Sequence, residues 1–131
     1  VTMPDFSIST GDRGMPYPLN LYNHYRNHAL SWYLIMNDIQ VIPSVSIADP
    51  QSYNFLFNGL PERSVLSVCT NGRIKARASR IEFCEGFKAM CDRLNPTKVI
   101  IVGRIPDELQ TDVPIINFKT RNQKINERMK G

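Results

Sequence analysis

The chain has 131 residues, 42% of them hydrophobic, and carries 16 Lys and Arg against 12 Asp and Glu, a formal net charge of +4. That length suits one domain with a real core, and the composition excludes collagen-like and intrinsically disordered classes. No apolar run approaches the roughly 20 residues of a membrane span and no signal-peptide pattern opens the chain, so a cytoplasmic protein without a membrane partner is expected.

Taken in chain order, residues 1–9 (VTMPDFSIS) read as a strand running into a loop at Thr10–Gly14. Pro16 and Pro18 lead into a helix over Leu19–Met36, whose apolar positions Leu21, Tyr25, Ala29, Trp32 and Met36 share one face and are expected to face the core. Ile39–Ile47 is a β-branched strand interrupted by Pro43, which should sit at a bulge or an unpaired position. Asp49-Pro50 is an N-cap followed by proline at the first helical position, opening a short helix that ends near Gly59.

Ser64–Thr70 is the next strand. Ser79 and Glu82 then read as a capping box for a second helix with a core stripe of Phe83, Cys84, Phe87, Met90, Cys91 and Leu94, closed by Asn95-Pro96. Lys98–Val102 and Val113–Phe118 complete the strands. Alternation of short apolar strands with helices predicts an α/β fold, a mostly parallel sheet of about four to five strands covered by helices.

Charge is segregated along the chain. Residues 117–131 hold Lys119, Arg121, Lys124, Arg128 and Lys130 against Glu127, while the eleven basic and eleven acidic residues of 1–116 cancel. The expected organisation is a single α/β domain over residues 4–118 and a basic tail over 119–131.

In a parallel α/β sheet, ligands bind where loops leave the strand C-termini. Those loops nominate Asp5, Asp12, Arg13, Asp49, Thr70, Asn71 and Arg104 as candidate edge residues, a set suited to a polar or anionic ligand. A second basic segment, Asn71–Arg80, holds Arg73, Lys75, Arg77 and Arg80 without an acid and runs into a helix N-terminus. It lacks P-loop spacing, and a solvated loop offset by Glu82, Glu85 and Asp92 is the plainer reading. No catalytic set is legible: there is no G-x-S-x-G elbow, and Cys69 is expected to be inert inside an apolar strand. His24 and His28 share one side of the first helix but lack further ligands, and Cys69, Cys84 and Cys91 form no CxxC pair. Neither a metal nor a cofactor is expected, and the cysteines should be free thiols. Tyr22, Tyr25, Trp32, Tyr33, Tyr53, Phe55 and Phe57 fall mostly at core spacing, which leaves few rings for base stacking. Nucleic acid is therefore the expected partner through phosphate contacts from Arg73, Lys75, Arg77, Arg80, Lys119, Arg121, Lys124 and Arg128. The alternative is a small-molecule or nucleotide site at the strand edge, enzymatic or not. Oligomeric state is not legible.

Several motifs stand in order: PDFS at Pro4–Ser7, NHYRN at Asn23–Asn27, VIPSVS at Val41–Ser46, YNFLFNGLP at Tyr53–Pro61, SVLSVCTNGRIK at Ser64–Lys75 and the LNP…IIVG run at Leu94–Gly103. Together, over about residues 4–110, they resemble the family catalogued as domain of unknown function 4417, found in bacteria, phages and plasmids. The resemblance implies a mobile-element protein, in some members labelled a plasmid replication protein, and supplies no catalytic residues to carry over. Ile47-Ala48 and Arg73 stand where many relatives have a Trp-Gly pair and a cysteine. Relatives usually begin with another strand and an acidic-aromatic segment ahead of PDFS, so an N-terminal strand is expected to be lacking here, whether in a shortened member or a fragment.

Overall fold

A computed structural model describes residues 1–12 and 14–131. Arg13, one of the edge candidates, lies outside the described residues. The elements follow as α1 (Tyr17–Met36), β1 (Ser44–Val45), a 3-10 turn (Pro50–Asn54), β2 (Val65–Cys69), α2 (Arg77–Leu94), β3 (Lys98–Val102), β4 (Ile115–Phe118) and α3 (Arg121–Lys130). The four strands are all parallel and stand in the sheet in chain order, β1-β2-β3-β4. The expected α/β class holds.

Parallel pairing demands a crossover between every two strands, and the strand sequences show why these segments supply the sheet. Leu66, Val68, Val99 and Ile101 alternate onto one face and are buried together with Phe83, Phe87, Met90 and Leu94 of α2. The α2 stripe is as predicted, with Cys84 and Cys91 only half-buried. Phe55, Leu56 and Phe57, which follow the 3-10 turn, complete the same core. Helix α2 starts two residues before the predicted box: Ala76 stands at its N-cap, so Ser79 and Glu82 lie inside the first turns. Its end is as read, with Asn95 in the left-handed region at φ 44°.

The opposite sheet face carries Val65, Ile100, Val102, Ile116 and Phe118, with Ile116 and Phe118 exposed. The expected helical cover is thus lacking over Ile116 and Phe118. The predicted strands near the N-terminus are much shorter than expected. Residues 1–3 join the sheet through one bridge, Thr2 to Ile42, and β1 holds only Ser44 and Val45. Pro43 precedes it and its carbonyl accepts from the Ser67 N–H at 2.8 Å, so the missing proline donor is not needed there.

Helix α1 overturns its predicted orientation. Its buried residues are Asn20, Asn23, Asn27 and Ser31, whereas Leu21, Tyr22, Tyr25, Trp32, Tyr33 and Met36 are exposed. The reason is the extended segment beside it, which has backbone groups to satisfy and no strand partner. Asn27 accepts from the Phe6 N–H at 2.7 Å and donates to the Phe6 carbonyl at 3.1 Å. Asn20 does the same with Ser9 at 2.8 and 3.0 Å, and Asn23 donates to the Ser7 carbonyl at 2.6 Å. A carboxamide carries the donor and acceptor of a peptide group, so the asparagines of one helix face act as a surrogate strand.

Candidate functional site

The strand C-termini come together around Thr70. This residue is 1% exposed; its N–H donates to the Val102 carbonyl at 3.0 Å and its hydroxyl to the Arg104 carbonyl at 2.8 Å. It thereby fastens the loop after β2 to the loop after β3. Asn71-Gly72 then turn the chain, with Gly72 at φ 78° and the Arg73 N–H returning to the Thr70 carbonyl at 3.1 Å. Gly103 leaves β3 at φ 114°, and its N–H donates to the Phe118 carbonyl at the end of β4 at 2.7 Å.

Beyond β4 the basic segment is helical, not an extended tail. Thr120 caps α3 by accepting from the Gln123 N–H at 3.2 Å, while the Gln123 side chain accepts from the Thr120 N–H at 2.7 Å. This reciprocal pair places the helix cap two residues after the strand ends. A crevice of about 220 Å³ results, lined by Lys75, Arg104, Asn71, Asn122, Gln123 and Asn126 among others, with no carboxylate in its lining. The two basic segments that are far apart in sequence meet here. Asn122, Gln123 and Asn126 were not read as site residues; the T-x-x-Q spacing from Thr120 to Gln123 is the signal that would have marked a helix there.

The remaining candidates divide sharply. Arg73 turns inward, its guanidinium donating to the carbonyls of Ile47 and of Ile8, the latter at 3.2 Å. It clamps the N-terminal segment to the end of β1 and is withdrawn from the surface role expected of it. Arg80 pairs with Glu108 at 2.8 Å and Lys119 with Glu127 at 2.7 Å; Asp92, expected to offset the loop, pairs instead with Lys88 at 2.7 Å. Arg104 meets Asp107 at 3.2 Å in an exposed pair that contributes little. Among the described residues, Lys75, Arg77, Arg121, Lys124 and Arg128 make no ion pair.

Asp5 and Asp49 are engaged separately. The Ser46 hydroxyl donates to Asp5, and the Thr10 hydroxyl donates to Asp49, which also accepts from the Gln51 N–H at 3.0 Å as the predicted cap. Asp12 is exposed on the preceding loop. Asp5 and Asp12 belong to the N-terminal segment and Asp49 is bonded to it through Thr10, so all three stand outside the lining of the crevice that holds Thr70, Asn71 and Arg104.

Cys69 is exposed at the end of β2, contrary to the expected burial, and all three cysteines are free. Burial raises the thiols of Cys84 and Cys91 above the ordinary range. The His24 and His28 rings lie 4.4 Å apart, and no group of three or more His, Cys, Asp and Glu is gathered among the described residues. No helix there is long and apolar enough to cross a membrane.

The profile of the family described as domain of unknown function (DUF4417) matches residues 1–119. The chain belongs to this family. It is also similar to the Gene 1 protein of Mycobacterium phage L5, 29% identical over 111 residues covering 85% of this chain and 47% of that protein. The Gene 1 protein of Mycobacterium phage D29 is 28% identical over 102 residues, 78% of this chain and 37% of the relative. Both relatives are phage-encoded, in keeping with the mobile-element expectation, and the chain spans less than half of either. No solved structure matches it. The DUF4417 motifs acquire concrete roles in the fold: the asparagines of NHYRN hold PDFS, and SVLSVCTNGRIK supplies β2, the Thr70 clasp and Lys75.

Proposed function

We propose that this DUF4417 protein binds nucleic acid through the phosphate backbone, taken along the crevice between the β2–α2 loop and α3. The observation that carries this reading is the lining itself: two cationic side chains and four carboxamides with no carboxylate. Cations and neutral donors at a surface groove suit a phosphodiester, whereas an acid there would repel it. Arg121, Lys124 and Arg128 extend the positive field along α3.

The crevice volume separates this from the nucleotide reading. At about 220 Å³ it is smaller than the roughly 300–1,000 Å³ of ordinary small-molecule sites, and it suits a phosphate more than a whole nucleotide. A part in phage or plasmid replication is one use of such binding, supported by the family's phage members.

Titrating the full chain against a labelled duplex and a labelled single strand at increasing salt tests the proposal. Affinity should fall linearly on a log–log plot, and removing Lys75 or Arg104 should each lower the slope by about one. Binding insensitive to salt, or absent at low salt, overturns it.

A further inference from the structure

Helix α1 turns one face to the fold and leaves the opposite face bare. Successive helical residues stand about 100° apart, so Leu21, Tyr25, Ala29, Trp32 and Met36 form one row with Tyr22 and Tyr33 beside it. This stripe lies across the helix from Asn20, Asn23 and Asn27, which hold the N-terminal segment. Tyr25, Trp32, Tyr33 and Met36 are each 64% exposed. Aromatic side chains cover about 150–250 Å² apiece, so the stripe offers roughly 600–800 Å². The largest apolar patch of an ordinary monomer is about 300–600 Å², whereas a stable interface takes about 800 Å² from each partner.

Charge and spacing indicate which partner fits. Helix α1 contains no Asp, Glu or Lys. Its one arginine, Arg26, is held at the margin, the guanidinium 3.8 Å from the centre of the Phe6 ring and 4.9 Å from that of Tyr22. Two copies of a chain with net charge +4 can therefore meet through this stripe without setting like charges against each other. Side-chain size is also symmetric about Ala29. Bulky Leu21, Tyr22 and Tyr25 stand eight, seven and four residues before it, and Trp32, Tyr33 and Met36 stand three, four and seven after it. Such a stripe is its own complement when the helix is reversed, which is what a two-fold interface requires. In an antiparallel pair, Ala29 meets Ala29 of the second copy, Tyr25 meets Tyr33 and Tyr22 meets Met36. The small side chain at the dyad lets the helix axes approach while the rings interlock on either side. Tyr22 and Tyr25 are already stacked, with ring centroids 6.3 Å apart, so association costs them little freedom.

We propose that the outer face of α1 is a two-fold interface with a second copy of this chain, the two helices running antiparallel and crossing at Ala29. Tyr, Trp and Met without Lys, Asp or Glu is the composition of interface cores. The interface is independent of the phosphate crevice, which other elements build.

Sedimentation of the full chain at concentrations from about 1 μM to about 300 μM should pass from the 15.0 kDa monomer to a dimer. Tyr25→Lys and Tyr33→Glu each press a charge against a ring of the second copy and should weaken dimerisation at least tenfold. Both positions are exposed in the monomer, so urea midpoints of the dilute variants should match the parent. Mixed in equal amounts, the two variants should associate at least tenfold more tightly than either alone. The new lysine of one copy then faces the new glutamate of the other, while the remaining Tyr33 and Tyr25 meet unaltered. A chain still monomeric at the highest concentration overturns the proposal, whatever other protein that face then holds. So does a dimer that neither substitution weakens, or a mixture that associates no better than its components.

Discussion

Gly103 passes so near Thr70 that a β-carbon on residue 103 would lie 2.3 Å from Thr70 Oγ1. This approach, at a backbone φ of 114° that other residues rarely adopt, is what lets the loops after β2 and β3 share one hydroxyl. Gly103→Ala should therefore destabilise the fold by about 2–4 kcal/mol, through clash and strain together. Gly72→Ala has positive φ but nothing within 4 Å of its new β-carbon, so strain alone, about 1 kcal/mol, is expected. Urea unfolding of both variants checks the ranking; equal costs would mean that the Thr70 contact does not matter.

The inverted helix makes the opposite of the usual forecast. Asn20→Leu, which would ordinarily count as improving a buried position, strips the partner from the Ser9 N–H and from the Met15 carbonyl, while the Ser9 carbonyl keeps only the Met15 N–H. A loss of about 2–4 kcal/mol is expected from those orphaned groups. Tyr25→Lys, at a residue 64% exposed, should stay within about 0.5 kcal/mol of the parent. Thermal or urea midpoints would show the reverse order if the apolar stripe faced the core.

Acid should loosen the protein earlier than its carboxylates require. Burial lowers both histidines; for His24 the neighbouring His28 lowers it further and the Asn58 carbonyl partly opposes this. A base with a depressed folded pKa binds fewer protons folded than unfolded, so its contribution is complete above the ordinary value near 6.5 and is lost as pH falls beneath it. Urea midpoints should decline as pH falls below about 6.5, and a His24→Asn/His28→Phe variant should flatten that decline.

Arg73 and Lys75 sit two residues apart in the same loop and should behave as different kinds of residue. Arg73→Ala leaves the Ile8 and Ile47 carbonyls without their charged donor, and a stability loss of about 1.5–3 kcal/mol is expected. Lys75→Ala should leave stability within about 0.5 kcal/mol while weakening binding to DNA at low salt. Unfolding curves and a DNA titration on the two variants separate these outcomes.

Loss of the Thr120 cap should act on the interface indirectly. Thr120→Ala removes the acceptor for the Gln123 N–H and should cost α3 about 1 kcal/mol. Circular dichroism should record reduced helix content, and DNA affinity should fall although no cation has been removed.

Elements whose apolar residues meet one another were legible in the sequence. β2, β3 and the stripe of α2 are such elements, because Leu66, Val68, Val99 and Ile101 bury against Phe83, Phe87, Met90 and Leu94. The orientation of α1 was not, since periodicity identifies a stripe without saying what lies opposite. Asn20, Asn23, Asn27 and Ser31 are as regularly spaced as Leu21, Tyr25, Trp32 and Met36, and the unpaired backbone of residues 6–9 decides between them. The composition of the crevice was half visible: both basic segments stand out as charge runs. Their meeting depends on strand order, which side-chain chemistry alone does not encode, and the inward turn of Arg73 depends on carbonyls contributed by two distant segments.

A sheet whose spatial order repeats its chain order has a consequence for how the protein is made. Each strand finds its neighbour already present when it leaves the ribosome, because β2 needs only β1, β3 only β2, and β4 only β3. No strand must wait for a later one to be inserted between it and its partner. The crevice built from the loops after β2 and β3 and from α3 accordingly takes shape only after β4 has joined the sheet.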